Sequence, residues 1–301
     1  MEQPVDYEWL PTKCASCKKL GHTAASCKHA PDVVKRMKEP QTQSSKDLIT
    51  AGGIDTAIPG TPSMFCKNNR RTRLIQTFHM ILMEFCNILS WNVRGMNKKN
   101  RQMAVLEVCR LNKIGIGALI ETKTKGNKIN DVMTSTFVGW NFYSSSILEG
   151  RILLIWKANL VKIDILQESD QLLHSRVRLL GRNHDFCLSI VYGSNNLETR
   201  KLLWSDLSTV QRPIKPWILL GDFNVVFNMD DRLGGRPISV KEMEDAHQWL
   251  ALGMATEMKT LGPAYTWSNK QDGGARIFSK LDRVFTNENW SDTFPLASAF
   301  S

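Results

Sequence analysis

Four apolar runs in this sequence end on residues that can handle a cation or a phosphate. They end at Asn92, at Glu121, at Tyr192, and at the pair Asp222 and Asn224; Asp282 opens a fifth run. Carboxylates and amides are hard oxygen donors. Mg2+ keeps several of its waters and is usually held by one or two carboxylates, so this set suits it. It suits zinc poorly, because no histidine or cysteine stands beside these residues. Asparagine, tyrosine and a cation are also natural partners for phosphate oxygens. The stretch 216–224, Pro-Trp-Ile-Leu-Leu-Gly-Asp-Phe-Asn, reads as a buried strand ending at a site. Gly221 permits a close backbone approach. In extended chain Asp222 and Asn224 point the same way and Phe223 points back into the protein. Taken alone, Gly-Asp-Phe-Asn also reads as an ordinary turn.

A second chemical set lies near the N-terminus. Cys14, Cys17, His22 and Cys27 have the spacing C-x2-C-x4-H-x4-C. Three thiolates and one imidazole can close a tetrahedral Zn2+ site, whose metal must supply the folding energy of so short a loop. Gly21 permits the turn before His22, and Lys13, Lys18, Lys19 and Lys28 surround the loop. This is the spacing of a zinc knuckle, a binder of single-stranded nucleic acid. Leu20 stands where many knuckles carry an aromatic residue for base stacking.

The 301 residues carry a formal charge of +10. Residues 1–85 hold 12 Lys/Arg and 8 Asp/Glu, and the remaining 27 and 21 fall in 86–301, so the basic balance, +4 and +6, is spread over the chain. It permits a polyanionic partner. The seven cysteines are odd in number and unevenly placed, which argues against a disulfide framework. The acidic N-terminus has no apolar core of a secretory signal, and no apolar run is long enough to span a membrane, so an intracellular protein is expected.

The elements that must position these residues follow from periodicity. Residues 1–30 hold the knuckle. Residues 31–85 show no apolar periodicity and read as a disordered linker, with a basic cluster at Arg70, Arg71 and Arg73. From 86 to 301 the pattern predicts strands at 87–93, 114–120, 137–143, 151–156, 161–167, 172–179, 185–192, 217–220, 265–268, 276–278 and 281–286. It predicts helices at 98–112, 197–210 and 240–252. This order fits an α/β fold, a two-sheet sandwich with helices outside. Ligands gather at strand ends in layered α/β folds.

Six segments occur in order: Ser-Trp-Asn-Val-Arg-Gly-Met-Asn at 90–97, Ile-Glu-Thr-Lys at 120–123, Val-Tyr-Gly at 191–193, Leu-Leu-Gly-Asp-Phe-Asn at 219–224, Tyr-Thr-Trp-Ser-Asn at 265–269 and Ser-Lys-Leu-Asp-Arg-Val at 279–284. Together they closely resemble the endonuclease/exonuclease/phosphatase superfamily, and within it the endonuclease of plant LINE-type non-LTR retrotransposons. The knuckle resembles the nucleic-acid-binding module of such elements. The resemblance implies a Mg2+- or Mn2+-dependent endonuclease that nicks DNA by phosphodiester hydrolysis and leaves a 3′-hydroxyl. Glu121 would be the main metal ligand with Asn92 beside it. Asp222 would position or deprotonate the attacking water. Asn224 and Tyr192 would hold the scissile phosphate, and Asp282 would orient a histidine. It further implies DNA as substrate, a reverse transcriptase as partner and a nuclear location. The family closes its site with a Ser-Asp-His motif. This sequence reaches Ser301 without one, so the resemblance implies a domain that lacks its C-terminal end and last core strand, and is weak or inactive as it stands. His79, in the expected linker, and His174, His184 and His247 read as surface or packing residues. Two alternatives remain at this point: a non-catalytic zinc-knuckle protein that holds nucleic acid, and a phosphatase of the same superfamily.

Overall fold

The computed structural model describes residues 78–182, 184–210 and 215–301, all within the compact unit Asn69–Ser301. The zinc ligands Cys14, Cys17, His22 and Cys27, and residues 31–77 of the expected linker, lie outside the described residues.

The chain runs β1 (Phe78–Leu82), β2 (Asn87–Asn92), α1 (Lys99–Leu111), β3 (Ile114–Ile120), α2 (Asn127–Ser135), β4 (Asn141–Tyr143), β5 (Ile152–Trp156), β6 (Val161–Glu168), β7 (Leu172–Leu179) and β8 (Asp185–Tyr192). It continues through α3 (Leu197–Thr209), β9 (Trp217–Asp222), β10 (Arg232–Leu233), α4 (Val240–Leu250), β11 (Thr256–Glu257), β12 (Thr260–Leu261), β13 (Trp267–Ser268), β14 (Phe278–Ser279), β15 (Asp282–Thr286), α5 (Glu288–Thr293) and β16 (Ser298–Phe300). A seven-stranded sheet has the order β12-β16-β1-β2-β3-β5-β4, and a six-stranded sheet the order β11-β15-β9-β8-β7-β6. A small sheet, β10-β14-β13, stands beside them.

The two large sheets pack face to face. Ile88, Ile116, Ile120 and Leu154 from the first meet Leu188, Ile190, Ile218, Leu220 and Val284 from the second in one buried cluster. The outer faces are covered by helices. Val105 and Cys109 of α1 and Ile129, Val132 and Met133 of α2 cover the first sheet. Leu203, Trp204 and Leu207 of α3 and Ala246 and Trp249 of α4 cover the second. Burial on both faces explains why β3 and β9 read as continuous apolar runs rather than as alternating ones.

Several expectations are corrected. The folded region does not begin at 86. β1 is a strand between β2 and β16, with His79 opposite Ser90 and Ile81 opposite Ala299. His79 is therefore buried in a sheet, where desolvation, aided by the charges of Lys280 and Arg283, lowers its pKa to about 4. Residues 78–82 alternate between partial and full burial, a five-residue pattern easily lost beside a polar stretch. Residues 137–143 are not one strand: only Asn141–Tyr143 pairs, while Phe137 is a core residue following α2. The helix α2 itself is hidden because Gly126 at its N-cap, with φ 57°, and six polar residues mask the Ile129, Val132, Met133 stripe. No helix among the described residues is long and apolar enough to cross a membrane.

The pairing of β1 generates a prediction. The reference is a chain that begins at Asn69 and keeps β1. One beginning at Cys86 removes β1 from between β2 and β16, and should melt at a markedly lower temperature or aggregate through the exposed edges. Thermal circular dichroism of the two chains checks this.

Candidate active site

The site forms where strands of both sheets end together. Asn92 closes β2 and pairs with Ile120, so Glu121 follows one residue on at the same rim. On the facing sheet Tyr192, Asp222 and Asp282 are direct partners across β8, β9 and β15: Tyr192 opposite Asp222, and Asp222 opposite Asp282. A side-chain hydrogen bond joins the two rims, the Asn92 Nδ2 donating to Asp222 Oδ2 at 3.0 Å. The five residues come from positions spread between 92 and 282, and only the sandwich brings them together.

The turns at the rim are held by backbone in the left-handed region. Arg94, Glu121, Lys123 and Asn224 all have positive φ, between 47° and 55°. Such a conformation is easy for asparagine and costly for glutamate, and strained residues cluster at functional sites. Asn224 is thus in a turn and not in extended chain, as the simple alternation of 222 and 224 expects. The turn and the site are the same feature. The backbone N–H of Asn224 donates to Asp222 Oδ1 at 3.0 Å, and its side-chain amide donates to the Gly193 carbonyl at 2.8 Å. Gly221 has φ 142°, and a side chain there would run into the Val191 carbonyl. Phe223 points inward and stacks on Trp204 at 6.2 Å.

A brace beneath the site went unread in the sequence. Arg200 of α3 is buried, and its Nη1 donates to the carbonyls of Ser194 and Asn224 at 3.3 and 3.2 Å. Its Nε donates to Asp245 of α4 at 3.0 Å, and Trp204 Nε1 donates to the same carboxylate oxygen at 2.8 Å. Removing one partner of such a buried pair costs about 3–5 kcal/mol, because the other charge is left unpaired. An arginine within a helix pattern carries no sequence signal for this role.

A cavity of about 730 Å3 opens on these residues, with Asn92, Glu121, Tyr192, Asp222 and Asn224 in its lining. A groove of about 630 Å3 between α3 and α4 lies apart from them. Asp222 and Asp282 are both buried. Burial raises the pKa of Asp222, with hydrogen bonds from Asn92 and Asn224 pulling the other way and the charge of Glu121 adding to the rise. Burial and then the charge of Asp222 push Asp282 well above the usual carboxylate range. Tyr192 is pushed up to about 12 by burial and by the charges of Glu121 and Asp222, against the pull of Arg151, which lies 4.8 Å over its ring. It is therefore a neutral phenol and a donor. The Glu121 carboxylate is paired with Lys123 Nζ at 3.0 Å.

The donors fit a hard divalent cation. They are all oxygen, they carry a surplus of negative charge, and no histidine lines the cavity. Among the described residues no three of His, Cys, Asp and Glu form a ready-made metal cage. An Mg2+ held by one or two carboxylates and its own waters needs none. The histidines stand elsewhere: His174 is buried in β7 against Ser189 Oγ at 2.7 Å, His184 packs edge-on to Phe294, and His247 contacts the Phe227 carbonyl from α4.

A family model described as the Endonuclease/Exonuclease/phosphatase family matches residues 89–298. The chain belongs to this family. Among solved structures it is similar to the endonuclease domain of TRAS1, a telomere-specific non-LTR retrotransposon, with a TM-score of 0.51 and 16% identity over 68% of this chain and 86% of that one. It is also similar to the catalytic domain of human Nocturnin, with a TM-score of 0.45 and 13% identity over 73% and 88% of the two chains. A Bacteroides thetaiotaomicron mannosyl-6-phosphatase gives a TM-score of 0.46 and 11% identity over 67% and 85%. None of the curated proteins compared with the chain matches it. The α/β sandwich expected from the sequence is the one present.

The acid pair of this family member makes a testable statement about stability. Burial and the charge of Asp222 hold the folded-state pKa of Asp282 well above the 3.8 of the unfolded chain. The folded pKa is the higher one, so this contribution is fully present below 3.8 and is lost as pH rises through the folded value. Asp282→Asn should therefore raise the melting temperature at pH 7 in buffer free of divalent cations, and the gain should shrink as the pH is lowered toward the carboxylate range. A melting temperature below wild type at pH 7 would show that the charge is compensated in the folded chain.

Proposed function

We propose that this protein is a divalent-cation-dependent DNA endonuclease of the LINE-type retrotransposon kind, hydrolysing a phosphodiester and leaving a 3′-hydroxyl. The observation that carries the reading is the Asn92–Asp222 contact, which brings Glu121, Tyr192, Asn224 and Asp282 to one rim. Glu121 and Asn92 would hold a Mg2+ or Mn2+ ion, Asn92 through the amide oxygen that also accepts from the Arg94 N–H at 3.2 Å. Bound there, the ion supplies Lewis-acid stabilisation of charge on a phosphoryl oxygen.

The chain's own groups do the rest. Asp222 is oriented by two hydrogen bonds and has a raised pKa, which suits a group that aligns a water and takes up its proton. Tyr192 remains protonated and donates to a phosphate oxygen. Asn224 has one amide hydrogen engaged by Gly193 and the other available for the same task. Asp282 lies buried opposite Asp222, whose charge, after burial, pushes the Asp282 pKa well above the usual carboxylate range. The basic balance of the chain favours DNA over a small phosphomonoester.

Wild type should nick supercoiled plasmid weakly in Mg2+ or Mn2+. Glu121→Gln and Asp222→Ala should each slow nicking by about 10²–10⁴-fold. Release of inorganic phosphate from a sugar phosphate, with plasmid left intact, would instead establish the phosphatase reading.

The knuckle belongs to the same proposal: Cys14, Cys17, His22 and Cys27 hold one Zn2+ and present the N-terminal region to single-stranded nucleic acid. Native mass spectrometry of the full chain should find one zinc equivalent, absent after Cys17→Ser. Uptake unchanged by that substitution would reject the assignment.

A further inference from the structure

The small sheet forms one wall of the cavity, and nothing above uses it. Arg232 of β10 is opposite Ser279 of β14, and Ser279 is opposite Trp267 of β13. Directly opposed residues share a face, so these three side chains stand in one row. All three line the cavity that holds Glu121 and Asp222. Arg236 lines it too and joins Arg232 through a common partner. Glu242 accepts both guanidinium nitrogens of Arg236, at 2.9 and 3.1 Å, and its Oε2 lies 3.5 Å from Arg232 Nη1.

Two guanidiniums thus share one carboxylate, and this cluster carries one positive charge in excess. Glu242 is firmly ionised, its pKa lowered to about 2 by the backbone N–H of Ser239 first and then by Arg236 and the Ser239 hydroxyl. It also closes the capping box of α4, so the arginines are anchored on a helix terminus. The Arg236 side chain is 71% exposed and Trp267 is half-buried, which leaves both open to a ligand.

We infer that this row is the subsite for the nucleotide next to the scissile phosphate, with Arg236 and Arg232 taking the neighbouring phosphate and Trp267 taking the base attached to it. The inference rests on the DNA reading above and states which feature of DNA the cavity reads. A guanidinium matches a phosphate bidentately, and an indole offers a stacking face to any base. A small phosphomonoester has no second phosphate to place there, whereas every internal diester of a DNA strand has one on each side.

The test reads binding without chemistry. Full-length protein is titrated into a short fluorescein-labelled DNA duplex in EDTA, so that no cation at either metal site contributes, and anisotropy is followed over a range of salt. Arg236→Gln should weaken binding about 5- to 10-fold and lower the slope of log affinity against log salt by about 1. Trp267→Ala should weaken it about 10-fold with the slope unchanged. Arg178→Gln removes an exposed arginine of β7 paired with Asp164, away from the cavity, and should change neither. Thermal melts must match wild type for the comparison to count. If wild type binds the duplex and both cavity variants bind equally well, the subsite is wrong and the DNA reading stands. If wild type has no affinity for the duplex, both fall together.

Discussion

Two carboxylates placed opposite one another on adjacent buried strands set the terms for this molecule. Asp222 and Asp282 are register partners in the interior end of a sandwich. Burial raises the cost of ionising both, and the charge of Asp222 raises it further for Asp282. A fold optimised for stability alone would not keep them. Asp222 is held in place by the Asn92 amide and the Asn224 backbone, which stabilise its charged form without adding a positive charge. The remaining imbalance is what a hard cation and a phosphate-borne water would meet. The same arrangement explains why Tyr192, between Glu121 and Asp222, stays a donor.

Around that pair the structure spends its interactions on fixing turns. Asn224 is in the left-handed region, its side chain ties to Gly193, and its carbonyl is gripped by Arg200. Arg200 in turn depends on Asp245 of the neighbouring helix. A second buried arginine acts beside it. Arg283, next to Asp282, is fully buried, pairs with Asp231 and Glu257, and lies 4.5 Å over the Phe227 ring. Asp231 also accepts the backbone N–H groups of Phe227 and Asn228, each at 2.7 Å. The loop that follows Asn224 is thereby pinned from below. It leads into β10, so Asn224 and Arg232 are tied to each other through one connected network.

Much of this was legible in the sequence, for identifiable reasons. The strands buried on both faces declared themselves as apolar runs, and their chemical residues were found because a polar side chain at the end of such a run has few other uses. The members of the rim, Asn92, Glu121, Tyr192, Asp222, Asn224 and Asp282, were named by that logic and by the ordered motifs. Short elements were less legible. β1 has five residues beside a polar segment, and α2 has only three buried residues behind a glycine cap. Local pattern is weak where an element takes its stability from tertiary pairing.

The sequence by itself determined the fold class, the family and the identity of the rim residues, because alternation, run length and motif order are local properties of the chain. Only the tertiary structure decided what those residues do to one another. Asp222 faces Asp282 and touches Asn92 because β9 is flanked by β8 and β15, and because the two sheets pack face to face. Arg200, Arg232, Arg236 and Trp267 reach the cavity through contacts between elements far apart in sequence. Electrostatic coupling depends on distance in space and on burial, and neither is written in a linear spacing.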